Sequence, residues 1–96
     1  MTAAEKTETF VGGSIAGGAS SSGTGLVWGI YSVTKANAAD WVVLGDFTAV
    51  EFVSAKNDTA GADDPATIDG STTNKVTLST GTGATTLFVV GTPATA

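Results

Sequence analysis

The chain contains no cysteine, histidine, arginine or glutamine, and only two prolines in 96 residues. Without cysteine there can be no disulfides, thiolate metal sites or cysteine nucleophiles. Without histidine the serine run at 20–22 has no imidazole to activate it, and four dispersed lysines do not suggest a Ser-Lys pair. Cations are scarce. Lys6, Lys35, Lys56 and Lys75 stand far apart in sequence against nine acids, for a net charge of −5. Phosphate binding needs clustered cations and base reading favours arginine or amide forks, so no nucleic-acid partner is expected. Nor are nine dispersed acids the dense array of a DNA mimic. Residues 1–9 hold no apolar run, and no stretch approaches the roughly 20 apolar residues of a membrane helix. The expectation is synthesis in the cytosol without a signal peptide, and no membrane partner.

What is present is small and β-prone. Alanine, glycine, threonine and serine make up over half the chain, with only seven aromatic residues. So thin a supply of large apolar groups opposes chain entropy narrowly, which favours a marginal monomer or an oligomer. Valine, isoleucine and threonine total 30 residues, and no apolar stripe of helical period is sustained. The expected fold is all-β, a small antiparallel sandwich or barrel of about six strands with a flexible N-terminal arm.

Residues 1–16 read as that arm or as an edge strand, with a bulge or bend at Gly12-Gly13. The rest, 17–96, reads as one domain, beginning with a flexible Gly- and Ser-rich connection at 17–25. Residues 26–34 (LVWGIYSVT) carry apolar groups on both faces and suit a central strand. Residues 40–44 and 47–54 suggest a hairpin turning at Gly45-Asp46, with Phe47, Ala49 and Glu51 on one side and Thr48, Val50 and Phe52 on the other. Residues 55–73 read as a long exposed acidic loop. Residues 74–79 and 84–91 read as a closing hairpin.

Motifs with chemical meaning are weak. Gly23-Thr24-Gly25-Leu26-Val27-Trp28-Gly29 has its third glycine one residue late for a dinucleotide fingerprint, and a strand follows where a helix is required. Asp58, Asp63, Asp64 and Asp69, near Asn57, are the best candidates for a hard cation, but their spacing fits no calcium loop. A solvated loop is the simpler reading. Asp46 and Glu51 as a carboxylate pair lack an aromatic-lined cleft. The sequon at Asn57-Asp58-Thr59 has no secretion signal beside it. No catalytic residue, no cofactor and no firm metal site is assigned, and the protein is expected not to be an enzyme.

The run 25–54 and the closing NKVTLSTGTGATTLFVVGTP resemble the small, Thr/Ala/Gly-rich head decoration or cement proteins of tailed viruses. That resemblance implies a non-enzymatic structural protein on the virion surface, forming homo-oligomers, with a trimer favoured, and clasping a major capsid protein. The residues suit such a role independently. Phe10, Val11 and Ile15 lie on an arm able to add to a sheet edge, and Trp28, Tyr31, Phe47 and Phe52 exceed what one small sandwich readily hides. Two other readings are a filament or surface-layer subunit and a carbohydrate- or calcium-binding module.

Overall fold

A computed structural model describes residues 3–14, 26–59, 61–79 and 82–94. Among them there is no helix, and eight strands form two antiparallel sheets. The larger sheet has the order β1-β2-β8-β4-β5, built from Thr9–Gly13, Val27–Lys35, Gly83–Pro93, Phe47–Asn57 and Ala62–Asp63. The smaller has the order β3-β7-β6, built from Trp41–Val43, Lys75–Leu78 and Ala66–Ile68. This is the expected all-β sandwich. Ile15 and the 17–25 connection lie outside the described residues.

Period-two alternation explains which face of each strand is covered. In β2 the odd positions Val27, Gly29, Tyr31, Val33 and Lys35 point inward, and in β8 Thr85, Leu87, Val89 and Gly91 do so. Opposite them the small sheet contributes Val42, Val76 and Leu78, with Leu44 just beyond β3, all fully buried. Phe47 joins this core, its ring edge-on to Tyr31 at 6.2 Å between centroids.

Three expectations are corrected. Both proposed hairpins fail, because their strands belong to different sheets: β3 pairs with β7, whereas β4 and β8 pair with each other and β8 also with β2. In a sandwich a short connection can cross between layers as easily as it can reverse within one, and turn chemistry is the same for both. The supposed central strand, β2, is second from the edge, and β8 occupies the centre. The 55–73 loop carries β5 and β6, with Ile68 packed against the core and Asp64 buried.

The alternation in β4 is also re-phased. Its register against β8 shifts between Phe47 and Ala49 and again between Val50 and Phe52, so Thr48 and Glu51 are extra residues. Each inserted residue reverses the side on which later residues emerge. Phe47, Val50, Val53 and Ala55 therefore all face the core, at spacings that no simple strand gives, and Phe52 is turned to solvent.

The N-terminal segment is held at two places. Residues 4–6 run beside β3, with the Lys6 amide donating to the Trp41 carbonyl at 2.7 Å and the Trp41 amide to Ala4 at 3.2 Å. Residues 9–13 then pair with β2 in the other sheet, with a bulge at Val11. The segment thus spans one open side of the sandwich. Gly13 is needed where the two strands touch: its φ is +152°, and a Cβ there would meet the backbone of Trp28 and Gly29.

One buried polar atom in this core has no partner among the described residues, the Thr85 hydroxyl. A methyl group in its place would remove an unsatisfied dipole at nearly constant volume. Thr85→Val is expected to raise stability by about 1 kcal/mol, read as a higher urea midpoint at unchanged slope. An unchanged or lower midpoint would show that the hydroxyl is satisfied in solution.

Candidate functional site: the outer face of the large sheet

The outward-facing residues of β2, β8 and β4 are unusually apolar at one end. The ladders align Trp28 with Val90 and Phe52 in one row, and Ile30 with Phe88 and Ser54 in the next. Directly opposed and diagonal side chains on one sheet face lie within reach of each other. The rings accordingly form a chain: Trp28 to Phe88 is 5.9 Å between centroids, and Phe88 to Phe52 is 6.5 Å in an edge-on arrangement. Leu26, Val27, Trp28, Phe88 and Val90 line a shallow apolar depression beside them.

These groups face solvent. Phe52 is 54% exposed, Leu26 49%, Trp28 41% and Phe88 40%. With roughly 200 Å² available to each large ring, the strip exposes on the order of 300–400 Å² of apolar surface, a size at which the largest patch of a small protein is often its working surface. The next row along the same face is polar, with Ser32, Thr86 and Lys56 aligned. There Asp58 accepts a hydrogen bond from the Thr86 hydroxyl at 2.7 Å and pairs with Lys56 at 3.4 Å. The hydrogen bond from Thr86, followed by Lys56, holds the Asp58 carboxyl below its ordinary pKa. One face thus has an apolar half and a charged half.

Of the expected interface residues, Trp28 and Phe52 share this patch. Phe10 and Val11 sit on the edge strand β1, 39% and 63% exposed. Tyr31 and Phe47 do not belong to any surface: both are 1% exposed and form the core, because inward parity in β2 and the bulges in β4 aim them there. The Tyr31 hydroxyl donates to Asp46 at 2.9 Å, and burial, reinforced by that bond, pushes its pKa well above the ordinary tyrosine value. Asp46 is thereby engaged, while Glu51 projects into solvent as the extra residue of a bulge. Phe88 and Leu26 complete the patch and were not among the expected interface residues. Parity carried the signal for Phe88: in LFVV, with Leu87 and Val89 inward, Phe88 must face out.

Three of the four candidate metal ligands go to different partners, and the fourth, Asp63, faces solvent. Asp69 accepts from the backbone amides of Ser71 and Thr72 as a turn cap, bonds that lower its pKa. Asp64 is buried against Lys35 at 2.7 Å. Asp63 is exposed on β5, and Asp58 serves Thr86 and Lys56. Among the described residues no three acidic side chains come together as a metal group.

No family, curated protein or solved structure matches this chain.

Proposed function

We propose that the protein is a non-enzymatic assembly protein, of the kind that decorates and stabilises a viral capsid, and that it associates through the outer face of its large sheet. The observation that carries this reading is the exposed Trp28–Phe88–Phe52 chain of rings. Aromatic side chains left in water on a rigid sheet, bordered by polar groups, have the anatomy of an interface core with its rim. The partners are further copies of the chain, with a trimer favoured by the resemblance to decoration proteins, and then a major capsid protein. The apolar strip alone falls short of the roughly 800 Å² per partner of a stable interface. The polar half with Thr86, Lys56 and Asp58 supplies the remaining contact and fixes orientation.

The test is the solution mass by light scattering over a wide concentration range, for the natural chain and for Phe52→Glu. The natural chain is expected to form a closed oligomer. Phe52→Glu places a charge in the interface core without touching the protein core, so self-association weakens by at least about tenfold while the far-ultraviolet dichroism and melting temperature of the isolated subunit are kept. A strict monomer at every concentration would remove the oligomer from this reading. Failure to bind assembled shells would remove the capsid partner.

A further inference from the structure

Lys35 ends β2 on its inward side, and Asp64 follows β5 directly. Of the ion pairs among the described residues, theirs alone has both side chains wholly inaccessible, with Nζ 2.7 Å from Oδ2. Allowing for one carboxylate C–O bond, Nζ is no more than about 4 Å from Cγ, close to the distance of a productive nucleophilic approach. Both backbones are fixed. Lys35 is paired with Gly83 in the β2–β8 ladder, and the Asp64 amide donates to the Ala55 carbonyl at 3.0 Å.

We propose that Lys35 and Asp64 condense to form an intramolecular isopeptide bond. A proton first passes from the ammonium to the carboxylate, giving a neutral amine and a neutral acid. Only this neutral pair can react, because the ammonium has no lone pair and the carboxylate has no hydroxyl to lose as water. The nitrogen lone pair then attacks Cγ, the C–OH bond breaks, and the hydroxyl leaves as water with a proton from the nitrogen. One C–N bond replaces one C–O bond, nothing is oxidised or reduced, and no co-reactant is needed. Exclusion of water from the pair also protects the neutral amide from hydrolysis. In a chain without cysteine, such a link supplies a covalent brace that no redox environment controls. It fastens the connection between β5 and β6 to the far end of β2, across 28 intervening residues of chain.

The intact mass of the full chain, measured under denaturing conditions, tests this. The expected value is about 18 Da, one water, below the sequence mass, with a branched peptide joining Lys35 to Asp64 on fragmentation and no tryptic cleavage after Lys35. Lys35→Arg, which keeps the charge but cannot form this amide, is expected to show the full mass. The full mass in the natural chain would overturn the proposal and leave a buried ion pair. So would a deficit of about 17 Da mapping to Asn57, which is ammonia loss, or a deficit that persists in Lys35→Arg, as a cyclised Asp69-Gly70 would give. Branch mapping on the natural chain decides the matter even if Lys35→Arg does not fold.

Discussion

Asp40→Ala is expected to cost about 3 kcal/mol of folding stability at neutral pH, a large part of what a domain this small possesses. Asp40 is sealed from water by the segments it holds, near the periphery of the fold rather than deep within it. Its Oδ1 accepts the Ala4 amide, and its Oδ2 accepts the Ala36 and Asn37 amides, all at 2.8 Å. One carboxylate therefore ties the N-terminal segment to the turn between β2 and β3. Its backbone carbonyl adds a fourth tie by accepting the Leu78 amide at 2.9 Å. Truncation to alanine leaves three amides without their charged acceptor, of which Ala4 and Ala36 can partly recover water. The cost is thus set below the sum of three charged hydrogen bonds. Urea unfolding at pH 7 measures it, and a loss under 1 kcal/mol would show that the turn and the N-terminal segment do not depend on this group.

The same residue predicts a pH dependence with a definite sign. Burial pushes the Asp40 pKa up, but the amides of Asn37, Ala4 and Ala36, with Lys6 at 4.0 Å, pull it further down, and the net shift is downward. The unfolded chain then binds this proton at a higher pH than the folded one. The stabilisation is complete above the unfolded value near 4 and is lost as pH falls through the lower folded value. The stability gap between the natural chain and Asp40→Ala should accordingly narrow in acid below pH 4 and stay flat between pH 5 and 8.

Much of the architecture was legible because alternation is local. LVWGIYSVT and TTLFVVG announce β2 and β8, but β2 runs one residue further than the sequence suggests and ends on Lys35, turned inward, a placement that its charge argues against. What was not legible is pairing between distant strands. Nothing in NKVTLS says that it joins β3 and β6 in the small sheet rather than the strand that follows it. The site was half legible. Trp28 and Phe52 were picked out as excess aromatic surface, but Tyr31 and Phe47 were grouped with them. The bulges at Thr48 and Glu51, which separate Phe47 from Phe52 by face, leave no mark in composition. Asp40, read as the start of the 40–44 strand, and Asp64, read as an acid of the 55–73 loop, carry no sign in the sequence of what they hold.

Gly91→Ala is expected to be strongly destabilising although it adds a single methyl group. Gly91 lies in the central strand β8, facing inward between Val27 of β2 and Val50 of β4. A Cβ there would overlap the Ala49 carbonyl oxygen and come within 3.0 Å of Phe47 Cδ1 and Val50 Cα. Two of these three atoms are backbone, so no rotamer change relieves the clash and β4 itself must move. The expected loss is about 3 kcal/mol, or roughly 12–20 °C in melting temperature. Gly45→Ala is the control, since a Cβ there meets nothing within 4 Å, and it should stay within about 0.5 kcal/mol. The damage should also reach the docking face. Gly91 opposes the stretch between the two bulges that turn Phe52 outward. A β4 displaced from its seat there has no reason to keep the register that aligns Phe52 with Val90 and Trp28. Gly91→Ala should therefore weaken self-association even at temperatures where it remains folded. Lost stability with undiminished association would separate the bulged register from the aromatic face and count against the coupling of the two.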